Sequence, residues 1–324
     1  MQENDSKVKG SSNAVTRYLK KNLGILLALV ALMIVFGILT KFKFLASANV
    51  INIIRVASLD GIVAFGATLI IIEGGIDLSV GSIMAVSSTY CAYMILNGMS
   101  APLAIIISII LAVAFGCLNG FLVSSTSIPP FIVTLGTMNI ARGIAYMASA
   151  GTPIRIETEF GAIGNGYLFD KIPYPILYVA VILIVMSTLL NKTKFGRSVY
   201  AIGGNAEAAR FSGINIRKVT WITYTIAGAL YGFVGVVYCS RLYSGQPTLG
   251  QGAELSAIAA AVVGGTSMTG GIGRMGATFI GALIMSVLNS GLNYLNVPFY
   301  WQDVCEGIVI LGAVYFDLRT RAKK

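Results

Sequence analysis

Few residues in this 324-residue chain are equipped for covalent chemistry. Histidine is absent, which removes the commonest general base, proton relay and zinc ligand. The four cysteines, Cys91, Cys117, Cys239 and Cys305, stand far apart in apolar stretches with no C-x-x-C. They read as small buried hydrophobes, with no metal site or disulfide framework among them. Asp60, Glu73, Asp77, Asp303 and Glu306 fall near the ends of apolar runs without clustering. A membrane-embedded enzyme and an ion-coupled transporter are therefore the weaker readings, since each needs grouped or mid-span carboxylates. The run 264–274 (GGTSMTGGIGR) looks like a phosphate loop but lacks the Gly-Lys-Ser/Thr ending whose lysine reaches the phosphates. Any ATP chemistry must belong to another chain, and no cofactor or metal is expected on this one.

Three charged residues have a different use. Arg142 lies inside an apolar run, about 10 Å from its end at 1.5 Å per residue. A guanidinium in lipid is costly and faces the bundle interior with a partner. Asp60 and Glu254 lie near the same depth, so a buried ion pair is expected.

The elements that carry these residues are apolar. Of all residues 56% are hydrophobic and 11% charged, against about 25% charged in a soluble domain. Runs of about 20 apolar residues recur from end to end, so the chain is expected to be an all-α polytopic membrane protein. Spans are read near 22–40, 57–72, 79–97, 102–123, 130–149, 174–191, 219–240, 254–264, 276–292 and 301–317. That makes about ten, with eight or nine where glycines interrupt. The run at 254–264 is too short to cross alone and is expected to continue into the glycine-rich stretch after it. Residues 44–55 read as a short interfacial helix. One transmembrane domain (22–317) lies between tails 1–21 and 318–324, leaving no room for a soluble catalytic domain of ~100 residues.

Sixteen of the 23 Lys and Arg fall on the face of the two tails and the 192–218 loop, six fall on the other, and Arg142 is within a span. The positive-inside rule then places both termini in the cytoplasm. A net charge of +10 spread this way is a topology signal and does not point to nucleic acid. Tyr294, Tyr300 and Trp301 read as an aromatic belt, with sugar stacking as the alternative. Stretches 69–88 and 257–283 share an apolar–glycine–apolar pattern that suggests a parallel internal repeat.

The 192–218 loop holds a candidate docking helix. Asn205 is a good N-cap, Ala206–Ser212 can form two turns, and Gly213 ends them. Glu207 and Arg210 both suit the helix dipole. Ala208, Ala209 and Phe211 give an apolar stripe, which leaves so short a helix unstable unless something packs on it.

The text GGN-x-EAA-x-x-SGIN (Gly204, Asn205, Glu207, Ala208, Ala209, Arg210, Gly213) resembles the EAA loop of bacterial ABC-importer permeases of the ribose/galactose sugar type. The segments GGIDLSVGS (74–82), PFIVTLGT (130–137) and ELSAIAA with VGGTS (254–267) are similar to other segments of that family. Ser256 stands where the family usually has Asp, and Glu73 where a small polar residue is usual. The resemblance implies a transport subunit of the bacterial cytoplasmic membrane that takes in a monosaccharide by alternating access and has no catalytic site of its own. It implies a second permease copy or paralogue, an extracytoplasmic sugar-binding protein, and a cytoplasmic ATPase with two nucleotide cassettes that uses ATP and Mg. That ATPase would dock on the 205–213 helix.

Within GGIDLSVGS, Gly74, Gly75 and Gly81 permit a tight turn and close helix approach. Asp77 is placed to cap the helix that follows. With Gly264 and Gly265 they are candidate hinges, because non-helical backbone at membrane depth needs protein or a water-filled cavity around it.

Overall fold

The computed structural model describes residues 22–156 and 159–321; the expectations for tail 1–21 and for the last three residues of the chain lie outside them. A helix stands at each of the ten expected spans. Seven are long and apolar enough to cross a bilayer: α1 (Asn22–Leu39), α2 (Ser47–Glu73), α4 (Ala101–Ser125), α5 (Pro130–Ser149), α7 (Tyr174–Lys192), α10 (Ile216–Leu242) and α12 (Met275–Tyr294). Two are shorter, α3 (Val80–Leu96) and α11 (Ala253–Val263), and α13 (Phe299–Arg321) closes the described chain. Between α5 and α7 lie α6 (Ala162–Asn165) and three two-residue strands, β1 (Ile154–Arg155), β2 (Tyr167–Leu168) and β3 (Ile172–Pro173). Strand β2 pairs antiparallel with β3, and β1 with β4 (Ser244–Gly245). On the other side of α7, helices α8 (Lys194–Gly204) and α9 (Ala206–Phe211) fill the long loop. The fold thus has an α8–α9 face and an opposite face that carries residues 150–156 and 159–173.

Helix α2 is the centre of the bundle, with 89% of its apolar window buried against 17% for α1. From Gly61 to Ile72 it is buried and, Thr68 apart, apolar all round, as a buried helix must be. Small residues let its neighbours close up: Ala112 and Gly116 of α4 lie directly under Gly228 and Gly232 of α10, and a Cβ on Gly228 would sit 2.9 Å from the Gly116 Cα. Close backbone approach of this kind replaces the hydrophobic drive that lipid cannot supply.

Two expectations need correction. Residues 47–55 are the first turns of α2 and no separate interfacial helix. Their polar groups find partners at the end of the span: Asn49 Nδ2 donates to the Phe44 carbonyl (2.7 Å), and Arg55 donates to the Tyr167 hydroxyl and lies 5.0 Å from that ring's centroid. The short span α11, about 16 Å long at 1.5 Å per residue, is completed by the non-helical residues 244–252 before it, a short strand followed by successive turns. The glycine-rich residues 264–274 turn back instead, with Gly265, Gly270 and Gly271 at positive φ and Ser267 N bonded to Ile272 O (2.8 Å).

Candidate functional site

Two stretches of non-helical backbone meet against α3. The first, residues 74–79, separates α2 from α3. Gly74 ends α2 in the left-handed conformation (φ 96°), which glycine adopts without a Cβ penalty. Gly75 packs so closely that a Cβ there would lie 2.6 Å from the Tyr224 hydroxyl. Ser79, not Asp77, is the N-cap residue of α3. Asp77 Oδ1 accepts from Ser79 N (2.8 Å) and Ser79 Oγ (2.6 Å), the geometry of an Asx turn. Its carboxylate shapes the bend two residues ahead of the helix and does not reach the helix's own free N–H groups.

Side chains from three other helices satisfy this bend. Thr134 Oγ1 of α5 accepts from Leu78 N (3.1 Å), and Tyr224 of α10 donates to the Ile76 carbonyl (3.3 Å). Asn119 of α4 donates to Ser79 Oγ (2.8 Å) and accepts from Thr137 of α5 (2.6 Å). The Thr220 hydroxyl of α10 donates to Glu73 Oε1, while Glu73 Oε2 is buried without a partner. A cavity of about 140 Å³ adjoins them, lined by Ile70, Glu73, Gly75, Thr220 and Tyr224 among others. Thr134, Thr137 and Asn119 carry no role in the sequence reading. The signal available was a pair of threonines three apart on an apolar helix.

The second break is residues 244–252. A Cβ on Gly245 would meet Ser88–Ala92 near the end of α3, and one on Gly250 would lie 2.7 Å from the Gly81 Cα in its first turn. The turned segment therefore descends along α3. Arg142 Nη1 of α5 donates to the carbonyls of Pro247 (2.6 Å) and Leu249 (2.8 Å) in it. The expected ion pair with Asp60 is thereby corrected. Asp60 accepts from Ser286 (3.1 Å) and Tyr238 (3.5 Å) instead. Glu254, in the first turn of α11, exerts its charge on Arg142 without a hydrogen bond to it. The break itself offers carbonyl acceptors to the guanidinium. Helix α5 thus holds both breaks, the first through Thr134 and the second through Arg142.

Of the other expected hinges, Gly264 packs on α12, where a Cβ would lie 2.6 Å from the Ala277 carbonyl oxygen. Gly265 (φ 84°) makes the turn that follows.

The α8–α9 face follows the sequence closely. Asn205 caps α9, its Oδ1 accepting from Ala208 N (2.9 Å), and Gly213 at φ 83° ends the turn. Glu207, Ala208 and Arg210 are exposed, and Phe211 is 86% exposed. The expected stripe is split, because Ala209 turns inward to the core while Ala208 and Phe211 face out. Gly204 has open space around it. Its neighbour Gly203 abuts the end of α2, where a Cβ would lie 1.8 Å from the Ile72 carbonyl oxygen. Gly271 N donates to that same carbonyl (2.8 Å), and Tyr200 of α8 donates to the Gly273 carbonyl (2.8 Å). Burial pushes the Tyr200 phenol above its ordinary value, with Arg274 pulling the other way. Helix α9, α8, the glycine hairpin and the last turn of α2 form one packed series that ends at the first break.

Residues 49–314 match the family described as "Branched-chain amino acid transport system / permease component". The chain is 44% identical to the ribose import permease protein RbsC of Bacillus subtilis over 93% of its length and 94% of that protein's. It is 38% identical to RbsC of Escherichia coli K12, covering 90% and 92%. It is 32% identical to the xylose transport system permease protein XylH of the same organism, covering 91% of each. No solved structure matches the chain. With a family match over most of its length and sugar-permease relatives covered almost end to end, this multi-pass inner-membrane protein belongs to this family of permeases, in its ribose- and xylose-type sugar branch.

Proposed function

We propose that the chain is the membrane permease subunit of an ATP-driven importer that takes a ribose-like monosaccharide into the cytoplasm. Two copies, or one copy with a related chain, enclose the pathway. An extracytoplasmic sugar-binding protein delivers the sugar, and a cytoplasmic ATPase with two cassettes, using ATP and Mg, docks on α9. Both termini lie on the cytoplasmic side, as the excess of Lys and Arg on the α8–α9 face favours.

The observation that carries this reading is the contact of Gly203 with the Ile72 carbonyl, two residues before the break at Gly74. Helix α9 offers Glu207, Ala208 and Phe211 outward and joins α8 through the capping Asn205. Movement of a docked ATPase is passed through α8 to the end of α2, where the helix gives way to the non-helical residues 74–79. Rigid-body rocking of the helices about the two breaks then switches which face is open. This chain contributes no covalent step.

Uptake of a labelled pentose and hexose panel in cells carrying wild type or Glu207→Arg tests the reading. Loss of uptake on ATP depletion and in Glu207→Arg, with survival under a proton uncoupler, is the expected result. Loss under the uncoupler alone, with Glu207→Arg silent, would replace it with an ion-coupled transporter.

A further inference from the structure

The second break leaves a polar face uncovered at mid-membrane. Thr248, Gln251 and Gly252 are exposed, in the segment that descends between the two ends of α3. One turn before Arg142, on the helix that holds the break, Asn139 is exposed as well. Asn139 is the tenth of the 20 residues of α5, about 14 Å from either end. Its Nδ2 bonds back to its own helix at the Leu135 carbonyl (3.0 Å), leaving Oδ1 uncommitted. Gly136 and Gly143, one turn to either side, have nothing within 4 Å of where a Cβ would be.

At mid-span α4 exposes Ile106 and Ile110 and α7 exposes Ile184 and Val185, whereas α5 sets the amide of Asn139 among the exposed side chains of Leu135 and Ile140. Irregular backbone and side-chain amides are not tolerated against hydrocarbon; at that depth they are covered by protein or line water. An amide, a hydroxyl and a second amide are the set that exchanges donors and acceptors with a neutral, many-hydroxyled solute.

We propose that Asn139, Thr248 and Gln251 form the hydroxyl-binding wall of the aqueous pathway, with Arg142 as the positioning residue that keeps the broken backbone of that wall in shape. The inference rests on the import reading above and names the residues that meet the sugar.

Single cysteines at Asn139, Thr248 and Gln251, in a chain whose four native cysteines are replaced, are treated in native membranes with a charged, membrane-impermeant thiol reagent. Cysteines at Ile110 and Ile184 serve as lipid-facing controls. The three wall positions label at least tenfold faster than the controls if the wall is wet. Labelling no faster than at Ile110, or a disulfide between copies in place of labelling, overturns the proposal. Asn139→Leu and Gln251→Leu are then compared with wild type for ribose uptake and for ATPase activity in the assembled importer. At least a tenfold fall in uptake with ATPase activity retained is expected, because a site built to bind hydroxyls is damaged by losing its polar partners. Unchanged uptake overturns the wall as a sugar contact. If wild type moves no neutral sugar, the import reading and the assigned ligand both fall, while the labelling still reports whether the face is wet.

Discussion

Gly81 and Gly250 touch backbone to backbone: a Cβ on Gly81 would lie 1.7 Å from the Gly250 carbonyl oxygen. The two broken segments are joined at that point, one entering α3 and the other passing alongside it. No side chain can be fitted there without moving the main chain.

Gly81→Ala is therefore expected to destabilise the protein by at least about 1–3 kcal/mol, the range for overpacking a filled core. Gly136→Ala, at a helical position with open space, is expected to leave stability unchanged or raise it by up to about 1 kcal/mol. Thermal unfolding of the two purified variants in detergent checks both. Equal midpoints would show that the segments separate freely.

Arg142→Met keeps the length of the side chain but leaves the Pro247 and Leu249 carbonyls without their donor. A buried acceptor left unsatisfied costs about 1–3 kcal/mol, and Asp60, held by Ser286 and Tyr238, should not feel the change. Additive destabilisation in Arg142→Met combined with Asp60→Asn, measured as a double-mutant cycle, is the expected outcome. Coupling of more than about 0.5 kcal/mol would mean that the two residues communicate.

Asn205→Ala removes the cap of α9 and should cost about 1 kcal/mol of local stability. Phe211→Ala removes a side chain that touches almost nothing in this chain. The first variant is expected to raise amide exchange in α9. The second should leave exchange unchanged while weakening co-purification of the ATPase by at least tenfold.

Tyr200 gives a signature at high pH. Its phenol is raised above the unfolded value of about 10 by burial, so the folded state holds the proton longer than the unfolded state. The associated stability is complete below pH ~10 and is lost as pH rises through the folded value. Between pH 9.5 and 11, wild type should lose thermal stability more steeply than Tyr200→Phe. Parallel curves would place the phenol in water.

The sequence by itself determined the features that depend on neighbours along the chain. Ten apolar runs became helices at the expected places, because a backbone in lipid must bond within its own segment. Asn205 and Gly213 bounded α9 for equally local reasons, a side-chain acceptor three residues before a free N–H and a left-handed turn that suits glycine. Residues 47–55 were misjudged although the information was local: a few polar residues at a span end do not interrupt a helix that has partners at hand. What only the tertiary structure decided is how the breaks are satisfied. The donors for the second break come from 105 and 107 residues away, on Arg142, and those for the first come from Tyr224 and Asn119, with acceptance by Thr134. Hydropathy also placed the continuation of α11 on its wrong side, since glycine-rich stretches before and after it look alike until packing against α3 selects one. A broken span frees donors and acceptors whose partners are set by how helices pack, and no residue's nearest sequence neighbours record that choice.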